Sequence, residues 1–341
     1  MKAVIVVEAN KVEVVDIKEP KVGPYQAKVK TEVATLCNAT DGKLIAGHFP
    51  GVTKYPLVLG HESAGIVQEI GDKVRNFKVG DRVIGGLVFD YAEPNYASGW
   101  GGFCEYTLAN DHDAMVADGV ADEKHGWHEV YEIQTAVSSD VSVEDAVLLC
   151  TWREVYSGFE DFNLKKGNTI LVFGAGPVGL SFVKIGKLLG LDYIGVVEPV
   201  ESKRKKALEM GADAVFRLED DFRKEFPRTL DAVIDAVGKP SIVNTSLELI
   251  KMGGSVCVYG VIGESSFTID KYKGPYDFNL YVHQWPTRFR ERAAQQPLCQ
   301  CICAGKLSAK DLITHEFNIE QINEAIYAVQ SSQTIKILFR Y

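Results

Sequence analysis

At 341 residues the chain exceeds the size at which one hydrophobic core usually stops growing, which predicts two domains. Hydrophobic residues at 46% and charged residues at 24% are the proportions of an ordinary globular protein. The formal net charge of −9 argues against a nucleic-acid partner, because binding a phosphate backbone requires a cationic face. The short basic cluster Lys203 to Lys206 is flanked by acidic residues and reads as a solvated helix face. Ala3 to Val7 is too short an apolar run for a signal-peptide core, and no later stretch reaches the roughly 18 residues of a membrane span. Seven scattered cysteines, an odd number, do not form a disulfide framework, so a reducing cytoplasm is the expected compartment.

The first 110 residues predict short strands at Val4 to Val7, Val12 to Ile17, Ala27 to Val33, Ala64 to Ile70 and Val79 to Gly85. Such closely spaced strands suggest a partly closed barrel. Val143 to Tyr156 carries helical spacing, and strands and helices alternate from there. Thr169 to Phe173 is a strand and Leu180 to Leu189 a helix, followed by strand Tyr193 to Val197 and helix Glu201 to Met210. Ala232 to Ala236, Ile242 to Ile250 and Val256 to Tyr259 repeat strand, helix and strand. Buried apolar strands joined by helices imply a doubly wound parallel sheet. The chain then becomes helical and mixed, and ends in a strand over Thr334 to Phe339.

Gly174-Ala175-Gly176-Pro177-Val178-Gly179 follows a predicted strand and opens a predicted helix, the context a dinucleotide loop requires. The first glycine permits the tight turn, the second lets backbone approach a pyrophosphate, and the third lets helix and strand pack closely. The helix N-terminus offers free N–H groups and a partial positive charge to the phosphates. Glu198 lies 19 residues beyond Gly179, at the end of the next strand. A carboxylate there accepts hydrogen bonds from ribose hydroxyls and repels a 2′-phosphate, which favours NAD over NADP. Lys203 and Arg204 follow closely and leave room for some NADP tolerance.

Gly60-His61-Glu62-Ser63-Ala64-Gly65, with Gly71 and Val74 after it, resembles the zinc signature of the medium-chain alcohol dehydrogenase family. The resemblance extends over Cys37 with Thr40-Asp41, Gly80-Asp81-Arg82-Val83, Gly101 to Tyr106, Leu148-Leu149-Cys150, the glycine loop and Gly253-Gly254. It implies an α/β protein with a partly open, GroES-like β-barrel catalytic domain over residues 1–145, completed by 286–341, and a Rossmann NAD-binding domain over 146–285. It also implies one catalytic zinc held by Cys37, His61 and Cys150. A catalytic zinc takes three such protein ligands and keeps a fourth position open. Glu62 is either an outer partner of His61 or an alternating ligand.

Three departures from the family pattern bear on these roles. Cys37-Asn38-Ala39-Thr40-Asp41 is one residue longer than the usual spacing, which leaves the alignment of Thr40 open, with Asn38 a poorer alternative at the metal. Residues 85–110 hold only Cys104, so no second, structural zinc is expected, and Cys299, Cys301 and Cys303 are expected to be buried thiols. Residues 115–135 and 271–292 are distinctive, the latter carrying His283, Trp285, Arg288, Arg290 and Arg292. They either cap a cleft, form an oligomer interface or are surface elaboration.

The implied activity is hydride transfer from a secondary alcohol, polyol or sugar-derived hydroxyl to NAD, in a homodimer or homotetramer with no nucleic-acid or membrane partner. Thr40 is the candidate first member of a proton relay, with His48 a further candidate. Lys336 resembles the family's basic residue that pairs with the pyrophosphate, or is a solvated lysine. Two alternatives stay open: a zinc-free reductase of an activated double bond or quinone, and a non-catalytic NAD(H)-binding redox sensor.

Overall fold

A continuous apolar run, Ala3 to Val7, forms the first strand, and alternation of apolar and polar residues takes over in the strands after it. The computed structural model describes residues 1–52, 54–91, 95–330 and 334–341. They form two units, residues 1–150 with 295–341 and residues 151–294, each built around its own sheets. In the first unit, β1 (Lys2–Glu8) pairs antiparallel with β2 (Lys11–Asp16). The following β3 (Gln26–Leu36) alternates buried and outward positions in its first half. Its last four residues are all buried, so the strand dives into the core just before Cys37. Helix α1 (Thr40–Ala46) follows and stops at Gly47, whose φ of 76° closes it. Strands β4 (Leu57–Val58), β5 (Ser63–Ile70), β6 (Arg82–Ile84), β7 (Ala97–Ser98) and β8 (Tyr106–Asn110) come next. Helix α2 (His112–Ala117), β9 (Ala136–Val137) and α3 (Val143–Asp161) then lead to the second unit, whose boundary falls inside α3.

The second unit is one parallel sheet. Its elements are β10 (Thr169–Phe173), α4 (Pro177–Leu189), β11 (Tyr193–Val197), α5 (Glu201–Glu209), β12 (Ala214–Phe216) and α6 (Phe222–Glu225). They continue with β13 (Leu230–Asp235), α7 (Pro240–Leu247), β14 (Ile250–Val258), β15 (Asn279–Val282) and α8 (Arg288–Ala293). The strand order β12-β11-β10-β13-β14-β15, with every pair parallel, is a doubly wound sheet with its switch point beside β10. The chain returns to the first unit through α9 (Gln295–Cys303), β16 (Ile313–Asn318), α10 (Ile322–Gln330) and β17 (Lys336–Arg340). There β17 pairs antiparallel with the end of β3, while β8 pairs with the beginning of β3 along the same strand. β5 pairs with β3 from residue 27 to residue 34.

Four details differ from the sequence reading. The strand expected over Val79 to Gly85 shrinks to β6, because Gly80 turns at a φ of 93° and leaves Val79 exposed. The helix expected through Ile250 stops at Leu247, because Ile250 is taken into the sheet opposite Leu230. Cys299 and Cys301 are half-buried and Cys303 is exposed, so these thiols are not core residues. The 115–135 segment is more than surface elaboration: Met115, Val130 and Tyr131 pack with Leu87, and buried Gln134 bonds to Asn110, Gly85 and Leu108.

The 271–292 segment is likewise tied down, in the second unit. Thr287 Oγ1 donates to Asp161 at 2.8 Å, Arg290 pairs with the same carboxylate, and Arg288 pairs with fully buried Glu291 at 2.7 Å. No helix among the described residues is long and apolar enough to cross a membrane. Close packing of β3 on β5 is strictest at Gly65, where an added Cβ would stand 2.1 Å from the Lys30 carbonyl oxygen. Gly65→Ala is therefore expected to lower stability by about 2 kcal/mol or more in denaturant unfolding. An unchanged midpoint would show that the two strands are not held this closely.

Candidate metal and dinucleotide sites

Antiparallel pairing brings three chain segments to one corner of the first unit: the end of β3, the start of β5 and the start of β17. Ala34 lies opposite Ser63, and Ile337 lies opposite Leu36. Cys37 therefore leaves β3 beside His61 and Glu62, which precede β5, and beside Lys336, which begins β17. The ligand atoms of Cys37, His61 and Glu62 all lie within 4.8 Å of one another. Among the described residues this is the one such grouping of three or more metal-ligating side chains. Gly60 makes the approach possible. Its φ is 103°, and an added Cβ would stand 2.4 Å from the backbone nitrogen of Phe103.

Asp41 ties two of these residues together. Its fully buried carboxylate accepts the Cys37 N–H at 2.8 Å and places its other oxygen 3.3 Å from His61 Nδ1. A carboxylate so placed fixes the ring orientation of a metal-binding histidine. Glu62 is buried as well and is held by Lys336 Nζ at 2.5 Å and by the Thr35 hydroxyl, which donates to it. Trp100 adds an aromatic wall, its ring 5.7 Å from that of His61 and 5.5 Å from that of Phe49.

These groups set one another's protonation. Burial alone would lower the pKa of His61, but the Asp41 carboxylate and the Cys37 sulfur outweigh it and hold the pKa well above the ordinary histidine value. Burial would raise that of Glu62, yet Lys336, His61 and the Thr35 hydroxyl bring it below the usual carboxylate value. Burial would likewise lower that of Lys336, and Glu62, followed by Cys37 and Asp41, raises it instead. The corner thus draws in positive charge. Asp41 Oδ1 and His61 Nδ1 face each other, while Asn38 Oδ1 is buried with no hydrogen-bond partner. Thiol, imidazole and carboxylate groups brought this close are the donor set a zinc ion takes.

The other expected residues fall as follows. Cys150 is buried on α3 in the same unit and is not one of the three grouped ligands. Thr40 opens α1 next to Asp41. His48 lies beyond the α1 cap, exposed, with its backbone N–H donating to Lys43. Lys336, read from sequence as a phosphate partner or a solvated lysine, is buried against Glu62, so the solvated alternative is corrected. Thr35 and Trp100 were not singled out by sequence, and Asp41 appeared there only as part of the motif, with no role. Asp41 was legible in principle, four residues after a candidate ligand at the start of a helix.

In the second unit the glycine loop connects β10 to α4. Gly174 turns at a φ of 96°, and a Cβ on Gly179 would meet the Gly174 carbonyl oxygen at 1.9 Å. Gly176 has open space where a Cβ would be, with nothing within 4 Å, which leaves a cradle for a phosphate above the α4 N-terminus. Pro177 and Val178 form the first turn of α4, Pro177 at a position where its missing N–H costs nothing. Buried Glu198 accepts the N–H groups of Ala175 at 2.8 Å and Val200 at 2.9 Å, which fastens the loop to the end of β11. Arg204 donates to the Glu198 and Pro199 carbonyls, and Lys203 lies half-buried on α5.

Such a pairing of units defines an oxidoreductase class that combines a metal centre with a bound dinucleotide. Residues 23–118 match the model for the alcohol dehydrogenase GroES-like domain, and residues 177–275 match that for zinc-binding dehydrogenase. An acryloyl-coenzyme A reductase of Sulfurisphaera tokodaii is 31% identical, with 78% of each chain covered. A sorbitol dehydrogenase of Halalkalibacterium halodurans is 26% identical, covering 94% of this chain and 93% of that one. Among solved structures, an alcohol dehydrogenase from Thermus sp. ATN1 shares the fold at a TM-score of 0.80 with 20% identity, covering 100% and 99% of the two chains. The chain belongs to the zinc-binding alcohol dehydrogenase family, with its GroES-like and Rossmann-type units. It is an oxidoreductase of the zinc-dependent alcohol and polyol dehydrogenase type that works with a nicotinamide cofactor.

Metal and proton compete for His61, and its pKa stands above the ordinary value. Zinc affinity should therefore be highest at alkaline pH and fall about tenfold per pH unit once pH drops below that raised value. Asp41→Asn should weaken zinc binding about 10- to 100-fold at a fixed pH. Chelator competition measures both, and an affinity indifferent to pH and to Asp41 would contradict the arrangement.

Proposed function

We propose that the protein oxidises a secondary hydroxyl of an alcohol, polyol or sugar derivative, with one zinc ion and with NAD as the preferred acceptor. The observation that carries this reading is the Cys37, His61 and Glu62 grouping braced by Asp41 and Lys336. In this reading Cys37, His61 and Cys150 hold the metal. Glu62, neutralised by Lys336, stays beside it as an outer partner able to exchange with a ligand. When bound, zinc supplies Lewis acidity at the substrate oxygen and the nicotinamide supplies the hydride acceptor.

The chain's own residues do the rest. Asp41 keeps the His61 ring oriented through Nδ1. Thr40, adjoining Asp41, accepts the substrate hydroxyl proton and passes it outward. Trp100 and Phe49 shield the metal corner from water and offer an apolar face to substrate C–H groups. Gly176 makes room for the pyrophosphate at the N-terminus of α4, and Glu198 holds the adenosine ribose hydroxyls. That carboxylate would repel a 2′-phosphate, and Arg204 is already engaged with main-chain carbonyls, both of which favour NAD. The likeness to a sorbitol dehydrogenase supports a polyol substrate. The alternative of a zinc-free double-bond reductase leaves the thiol and imidazole grouping without a use.

A spectrophotometric screen of NAD reduction against secondary alcohols, polyols and sugar derivatives is expected to give turnover on at least one of them. His61→Ala should lose zinc and turnover together; a variant that keeps turnover without metal would overturn the zinc reading. Glu198→Ala should weaken NAD far more than NADP, and an unchanged preference between the two would remove the ribose assignment.

A further inference from the structure

Glu154 belongs to neither the glycine loop nor its Glu198 clasp, yet the second unit puts its carboxylate where the far end of the cofactor belongs. A doubly wound sheet of this order binds a dinucleotide across the carboxyl edge of its strands, one half of the ligand over each half of the sheet. The glycine loop and Glu198 occupy the edge at β10 and β11, the phosphate and adenosine side. The nicotinamide half then lies over the carboxyl ends of β13 and β14. Tyr259 is the first residue after β14, and its N–H donates to the Asp235 carbonyl at the end of β13 at 3.0 Å. Its ring packs edge-on against Phe182 of α4, with centroids 5.4 Å apart. Its hydroxyl donates to Glu154 Oε2 at 3.1 Å. A half-buried carboxylate on α3 is thereby fixed to the end of β14 and to the dinucleotide helix α4.

Charge decides what such a carboxylate can do. The oxidised nicotinamide ring carries a positive charge. When the hydride leaves the substrate carbon with its electron pair, the ring gains it and becomes neutral, while the hydroxyl proton leaves to solvent. A fixed negative charge therefore attracts the oxidised form and has no such hold on the reduced one. We propose that Glu154, positioned by Tyr259, makes the site discriminate between redox states, favouring the oxidised cofactor and easing release of the reduced one. This rests on the nicotinamide reading above and adds a specificity-determining residue to it.

The test is a binding titration of the zinc-loaded protein with NAD+, NADH and ADP-ribose, the last lacking the nicotinamide. Glu154→Gln should lower the affinity for NAD+ relative to NADH by roughly three- to tenfold, the size expected for one partly solvated charge. ADP-ribose binding should stay within about twofold of the wild type, because the adenosine half lies at β10 and β11. Tyr259→Phe, which removes one hydrogen bond to the carboxylate without removing its charge, should shift the NAD+/NADH ratio in the same direction by less. An unchanged ratio in Glu154→Gln with ADP-ribose binding intact would overturn the proposal. If that variant loses ADP-ribose binding through misfolding, an unchanged ratio in Tyr259→Phe overturns it equally. A wild-type protein that binds NAD+ and NADH no better than ADP-ribose would instead overturn the nicotinamide reading itself.

Discussion

Buried charge without a counterpart is the constraint around which the first unit is organised. Glu62, Asp41 and Lys336 are all withdrawn from solvent in one corner, and isolated ions there would cost several kcal/mol each. Lys336 answers Glu62, but Asp41 answers only a backbone N–H and a histidine. The raised pKa of His61 expresses the same imbalance, since the Asp41 carboxylate and the Cys37 sulfur outweigh the effect of burial. Strand register, the crowded Gly60 turn and the return of the C-terminal strand all serve to bring these groups together.

The second unit solves its own problem with carboxylates turned onto main-chain N–H groups. Glu198 holds the loop after β10 and the turn after β11. Asp235, fully buried at the end of β13, accepts from Val237, Gly238 and Lys239. Burial raises the pKa of Asp235 despite these three N–H donors, which pull it the other way. Such bonds stiffen the carboxyl edge of the sheet, where a flexible loop would blur the position of a bound nucleotide. Helix α3 is anchored at its other end by Asp161, which takes Thr287 and Arg290 from the distinctive 271–292 segment. That segment therefore supports the nucleotide unit from within.

Much of this was legible in the residues themselves. The parallel sheet followed from continuous apolar strands and the glycine loop, because period and turn chemistry there admit few other folds. Cys37 and His61 were legible as metal ligands through the family motif, with Cys150 expected as the third; Glu62, read as an outer partner or alternating ligand, is the residue the fold groups with them instead. The partner of Glu62 was not legible, since a lysine 274 positions away gives no local sign that a strand will carry it inward. Asp41 was visible as part of a resembling motif but its task was not, because orientation of a histidine is a property of the folded corner. Helix and strand boundaries slipped at Val79, where the Gly80 turn cuts the strand short, and at Ile250, where pairing across the sheet overrode local pattern.

The claim that a single thiolate- and imidazole-bound zinc ion completes the buried corner is tested most directly by X-ray absorption at the zinc edge of the purified protein. The account predicts a four-coordinate ion with sulfur scatterers at about 2.3 Å, from Cys37 and Cys150, and lighter donors at about 2.0 to 2.1 Å. A zinc shell made of oxygen and nitrogen alone, with no sulfur, would contradict it.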